Sequence, residues 1–287
     1  MNISKALVVV GLFLQPFLVL NGGESNNLTL TKIQVVAIED SQSDKQYELY
    51  IKLPEGYSEN KDKTYPVIYY TDGIWHVELL SAASEYIMED VILVGISWQK
   101  DINQELKKHG EHISRLRDYS VNKSTNPEHQ AKYQFGQASN HLAFIRNDVI
   151  STIEKRYRTD PDNRSYFGYS LGGLFGAYIL MAEPQTFKNY ILGSPDLKGD
   201  VPYLSALGAK SALNHNDLSA NVFITYGSLE TELGAHAEEF ISTLKHSKHE
   251  NLTVQRTVIE GSHQSAFPMT GVRGITWLAN LPSQGGK

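Results

Sequence analysis

Residues 164–181 read "RSYFGYSLGGLFGAYILM". An aromatic, β-branched-compatible run arrives at Ser170, stops, and resumes as "LGGLFGAYILMA" over residues 171–182. Gly168 and Gly172 stand two positions either side of the serine. This is the pattern of a strand that turns sharply into a helix with a serine held in a strained conformation at the apex, where a side chain two residues away would collide across the turn. A serine that merely capped the helix would account for the helix start but leave Gly168 unexplained.

Working outward, strand-like runs alternate with longer helix-like ones. The strand candidates are "KIQVVAIE" (32–39), "YELYIKLP" (47–54), "PVIYYTD" (66–72), "VILVGIS" (91–97), "RSYFGY" (164–169), "YILGS" (190–194), "VFITYG" (222–227) and "LTVQRTVIE" (252–260). From residue 66 onward most are nearly continuous apolar runs, as strands buried on both faces should be, whereas the first two alternate and predict an antiparallel edge. Between them lie helical stretches: residues 138–158, with Leu142, Ile145, Val149, Ile150 and Ile153 on one stripe, then 171–182 and 234–247. The alternation predicts an α/β fold, a mostly parallel sheet of about eight strands with helices on both faces and ligands at the carboxyl ends of the strands. Residues 99–138 break it: polar and about forty long, they predict a cap or substrate-binding insertion.

Composition bounds the rest. The 287 residues suit a single catalytic-size domain over residues 24–287. A net charge of −6 offers no basic field for nucleic acid. There is no cysteine, which removes disulfides, thiolate zinc sites and cysteine nucleophiles together. "MNISK" followed by the uncharged "ALVVVGLFLQPFLVL" predicts a signal peptide over residues 1–23 and an exported protein, periplasmic or secreted. The run is short for a membrane span and is interrupted by Gln15 and Pro16, so no stable span is expected after cleavage; a retained anchor is the alternative.

A serine hydroxyl needs a base, and the base needs an orienting acid. In this architecture they follow the serine in the order acid, histidine. Of ten histidines, His215, His236, His246, His249 and His263 lie downstream. His263, in "EGSHQS" just past the final strand candidate and before the last helix, is the expected base. His246 with His249, and His109 with His112, have no carboxylate at ligand spacing and read as solvated pairs, so no metal is expected. For the acid, "GSLETE" offers Glu230 and Glu232; Glu230 is preferred because it lies nearer the strand end. The oxyanion donors expected are the Leu171 N–H and, from the loop "TDGIWH", the Ile74 N–H. Trp75, His76 and Trp98 would line the cleft.

With these residues in place, the chain resembles the esterase family of α/β-hydrolases that includes siderophore trilactone esterases, feruloyl and acetylxylan esterases, S-formylglutathione hydrolase and mycobacterial mycolyltransferases. The likeness runs over almost everything after residue 32, including "VGISW", "RLRDYS", "FKNYILGSPDL" and "GSHQS". It implies the α/β-hydrolase fold, with Ser170 as nucleophile, His263 as base and the acid falling on "GSLE", hence Glu230. Arg117 and Asp118 match an Arg-Asp pair of the siderophore-esterase branch, which implies a structural role or one near the substrate. Two departures stand out: Thr71 replaces a Leu before Asp-Gly, and "SPDLKG" replaces "SPSLWW". The residues and the resemblance together predict a serine esterase that works through an acyl-enzyme on a small-molecule or carbohydrate-linked ester, with no cofactor. Trilactone hydrolysis or acyl transfer in the same site is one alternative, and a non-catalytic binding protein on the same scaffold another.

Overall fold

Alternate residues of the central strands go to opposite sides. Val67 and Tyr69 join one apolar cluster while Ile68 and Tyr70 join another, as the two-residue period of a strand buried on both faces requires. A computed structural model describes residues 32–212, 218–246 and 249–282, and the expected leader over residues 1–23 lies outside the described residues. Eight strands form one sheet: β1 (Ile33–Glu39), β2 (Gln46–Lys52), β3 (Tyr65–Tyr70), β4 (Ile92–Ile96), β5 (Thr159–Tyr169), β6 (Asn189–Gly193), β7 (Ala220–Gly227) and β8 (Leu252–Ile259). Their order is β1-β2-β4-β3-β5-β6-β7-β8. β1 pairs antiparallel with β2 and β2 antiparallel with β4, and every pairing from β4 to β8 is parallel. The eight candidate runs are thus the eight strands, and the two alternating ones form the antiparallel edge.

Helices cover both faces. α1 (Gly73–Ile87) and α10 (His263–Ala279) bring Val77, Leu80, Ile275 and Leu278 against Ile68, Leu93, Phe167 and Phe223. On the other face α5 (Ala138–Phe144), α6 (Ser151–Arg156), α7 (Leu171–Ala182) and α9 (Thr231–His246) supply Leu142, Ile153, Phe175 and Phe240 against Leu49, Val67, Val94 and Val222. A π-helical turn, Ile145–Ile150, joins α5 to α6, so the helix expected over 138–158 is one run with a widened middle. α8 (Val201–Ala212) follows β6. The 99–138 segment folds into three short helices: α2 (Gln104–Lys107), α3 (Arg115–Asp118) and α4 (Pro127–Tyr133). No helix among the described residues is long and apolar enough to cross a membrane.

From β3 the chain crosses to β4 on one side, whereas β5 adds on the other. The carboxyl ends of β3 and β5 therefore flank the switch point where open α/β sheets present a crevice.

Candidate active site

Ser170 follows the last residue of β5 and precedes the first of α7, with φ 58° and ψ −120°. That backbone state is one L-residues rarely adopt, and it thrusts the hydroxyl out of the sheet end. Space at the elbow is exhausted. A Cβ on Gly168 would run into the Gly172 carbonyl, and one on Gly172 would lie 2.5 Å from Thr71 Oγ1. The Thr71 hydroxyl in turn contacts Tyr166 OH at 3.2 Å, and Tyr166 OH donates to the Gly172 carbonyl at 2.8 Å. Thr71, a departure from the resembled family, thus ties the end of β3 to the first turn of α7.

His263 opens α10. The start of that helix is fixed by reciprocal capping, the Ser262 side chain accepting from the N3 backbone while Ser265 Oγ accepts from Ser262 N–H at 2.9 Å. Its Nδ1 donates to Glu230 Oε1 at 2.6 Å. The other carboxylate oxygen, Oε2, accepts from Ser194 Oγ at 2.7 Å and from the Gly227 N–H at 2.5 Å. Glu230 sits on a tight turn just after β7, its own N–H donating to Gly227 O at 3.0 Å, and its side chain is buried. Glu232 instead pairs with Lys198 at 2.8 Å, both side chains exposed. Tyr169, the residue before Ser170, donates its hydroxyl to the His263 carbonyl at 2.6 Å, and the two rings lie 5.2 Å apart. Burial, with the Glu230 charge adding to it, pushes the Tyr169 phenol up to about 12, so it remains a donor. Among the described residues Ser170 Oγ has no hydrogen-bond partner, so a bond between it and the imidazole of the expected base, His263, is not closed here. Such bonds in ligand-free enzymes are often long and tighten when substrate arrives.

Across the switch point, Asp72 adopts φ 55°, ψ 42° and caps α1. Its carbonyl accepts from Trp75 N at 2.9 Å and His76 N at 3.3 Å, which leaves the Ile74 N–H without a protein partner among the described residues. The Leu171 N–H at the start of α7 is likewise free among them. Three helix N-termini, those of α1, α7 and α10, therefore gather at one end of the sheet, where their partial positive charge favours an anion.

A model of the family described as "Putative esterase" matches residues 41–281. The chain belongs to that family. This esterase is 23% identical to the ferri-bacillibactin esterase of Bacillus subtilis over 275 residues, 89% of this chain and 92% of the relative. Among solved structures, the BES protein from Bacillus cereus superposes with a TM-score of 0.73 at 24% identity, covering 89% of this chain and 98% of the other. The siderophore hydrolase EstB from Aspergillus nidulans does so with 0.73 at 16% identity, covering 92% and 100%. These likenesses establish the α/β-hydrolase fold, and the family makes the esterase a carboxylic ester hydrolase.

Several side chains of the esterase lie elsewhere than the sequence leads one to expect. His76 does not line the cleft. α1 begins at Gly73, where the sequence predicts a loop, and this phase turns His76 inward with Val77 and Leu80, its ring stacked on Phe267 at 4.7 Å and edge-on to Phe167 at 5.6 Å. Burial lowers its pKa to about 4. Trp98 is buried too, its Nε1 donating to Asp72 Oδ1 at 2.6 Å, so it braces the turn instead of facing substrate. Arg117 is buried and forks onto Asp118, at 2.7 and 3.0 Å, beside Tyr47; of its two implied roles the geometry fits the structural one. Trp75 remains half exposed, against Trp98 at 4.6 Å. His112, expected in solvent, packs on Trp75 at 5.1 Å and Trp98 at 5.7 Å. Arg115, which no sequence pattern singles out, grips Asp72 through Nε and Nη2, both at 2.9 Å.

Proposed function

We propose that Ser170 is the nucleophile of this esterase, His263 its general base and Glu230 the acid that orients the imidazole. The observation that carries this is the 2.6 Å His263 Nδ1–Glu230 Oε1 contact, which leaves Nε2 as the free ring nitrogen of an imidazole 5.2 Å from the ring of Tyr169, the residue before the serine. Ser170 Oγ attacks the ester carbonyl as His263 Nε2 takes its proton; the carbonyl oxygen becomes an oxyanion held by the Leu171 and Ile74 N–H groups. Collapse expels the alkoxide, protonated by His263, and leaves an acyl-serine. Water, activated by the same imidazole, then releases the acid. Trp75 lines the approach to the oxyanion turn, and the 99–138 insertion covers it as a cap. The leader pattern over residues 1–23 supports action outside the cytoplasm.

The test is covalent labelling with a fluorophosphonate, followed by peptide mapping. Modification at Ser170 is expected, and it should be abolished in Ser170→Ala; a folded wild type that stays unlabelled would refute the assignment.

A second reading narrows the substrate to the ester bonds of a siderophore. It is favoured by the relatives, among them the triacetylfusarinine C esterase of Aspergillus fumigatus, 25% identical over 187 residues. Turnover of a ferric trilactone siderophore well above that of p-nitrophenyl esters of graded chain length would support it, and turnover of the simple esters alone would reject it.

A further inference from the structure

We propose that Arg115, delivered by the long insertion, is a positioning residue for the oxyanion turn, acting through Asp72 on the Ile74 N–H; this rests on the role given to Ile74 above. Asp72 holds a left-handed conformation that a side chain disfavours, so something outside the turn must keep it there. Its carboxylate is fully buried, and its three side-chain donors come from two distant segments. Trp98 Nε1 reaches it from the end of β4 at 2.6 Å, and Arg115 Nε and Nη2 from α3, each at 2.9 Å. A two-point fork sets the plane of the carboxylate as well as its position, which a single contact cannot do.

Arg115 itself has little freedom. Its guanidinium carbon lies 5.4 Å from the Trp75 ring centre and 5.7 Å from that of Tyr119, and its side chain is mostly buried. Asp72 is its sole side-chain acceptor among the described residues. Because the Asp72 carbonyl starts α1, turning the Asp72 backbone turns the Ile74 N–H two residues on. Oxyanion donors act only within a few tenths of an ångström of the right place, so a slack fork lowers the chemical step and leaves ground-state binding alone.

The experiment compares wild type with Arg115→Lys, which keeps the charge and loses the fork, and with Trp98→Phe, which removes the third donor. Steady-state kinetics on a p-nitrophenyl ester are read beside inhibition by a trifluoromethyl ketone, whose adduct needs the same donors, and by the ether analogue of the ester, which has no carbonyl oxygen to offer them. Melting temperatures report folding. Expected for each variant is a fall in kcat of roughly 10-fold or more, with KM within about threefold. Ketone affinity should weaken in proportion, and affinity for the ether analogue should be unchanged. Unaltered kcat in both folded variants overturns the proposal, as does a rise in KM at constant kcat, which would make Arg115 a substrate contact. If Arg115→Lys does not fold, Trp98→Phe decides alone. A wild type that fails to label at Ser170 removes the site assignment itself, whereas a labelled wild type with unaffected variants removes only the role of Arg115.

Discussion

Replacing His76 by Phe should remove much of the acid sensitivity of this esterase. The imidazole is enclosed by Phe167 and Phe267, its Nδ1 has no hydrogen-bond partner, and burial lowers its pKa to about 4. The nearby Asp72 carboxylate and the Thr71 carbonyl pull the other way, and the Arg115 charge adds to the lowering. In the unfolded chain the same group titrates near 6.5. The unfolded state therefore binds the extra proton first as pH falls. The stability contribution is complete above about pH 6.5, drains away between about 6.5 and 4, and changes no further below that. Integrating the linkage between about pH 7.5 and 4.5 gives a loss on the order of 2 to 3 kcal/mol from this one residue. Urea unfolding at the two pH values, followed by tryptophan fluorescence, measures it. The phenylalanine shifts absolute stability by a pH-independent packing amount, so the decisive quantity is the difference between the two proteins' pH-induced losses. His141, also buried and also lowered in pKa, is present in both and cancels. If His76→Phe loses as much stability as wild type over that interval, the imidazole is not buried neutral and the account is wrong.

Other perturbations bear on the reacting groups. His263→Ala should lower kcat on a p-nitrophenyl ester by roughly 10⁴-fold, as expected when one member of a cooperating set is lost. Glu230→Gln should cost less but still several orders of magnitude, whereas Glu232→Gln, whose partner is an exposed lysine, should leave kcat/KM within about twofold; the reverse order would move the acid to residue 232. Gly168→Ala drives a methyl into the Gly172 carbonyl, so phosphonate labelling at Ser170 should slow by about 100-fold even where the protein stays folded.

Local patterns make the fold legible. Each strand is a short run whose apolar period is visible without its neighbours, and the elbow is compressed into five residues, Gly168 to Gly172. Chain order restricts where the histidine and the acid can lie, and in "GSLETE" closeness to the strand end favours Glu230 without excluding Glu232. What separates them is the turn that folds Glu230 back to Gly227, a tertiary detail anchored by Ser228 N on Ile259 O and Leu229 N on Gly261 O. The place of His76 is hidden because "TDGIWH" has the composition of a loop; a helix beginning at Gly73 puts 76, 80, 83 and 84 on one buried stripe. The Asp72–Arg115–Trp98 cluster is illegible for a different reason. Arg115 and Trp98 stand 43 and 26 positions from Asp72, and no periodicity links an insertion to a strand end.

Ser170, Asp72 and Ser194 all carry positive φ values, 58°, 55° and 37°, and all three sit at the carboxyl end of the sheet. Glycine would be more comfortable at each. A search for heat-resistant variants would be drawn to these positions, since Ser194→Gly relieves the backbone even as it takes the hydroxyl from Glu230. Thermal hardening and turnover thus compete at this pole of the molecule. Substitutions meant to toughen the enzyme belong at the opposite pole, where the strands begin.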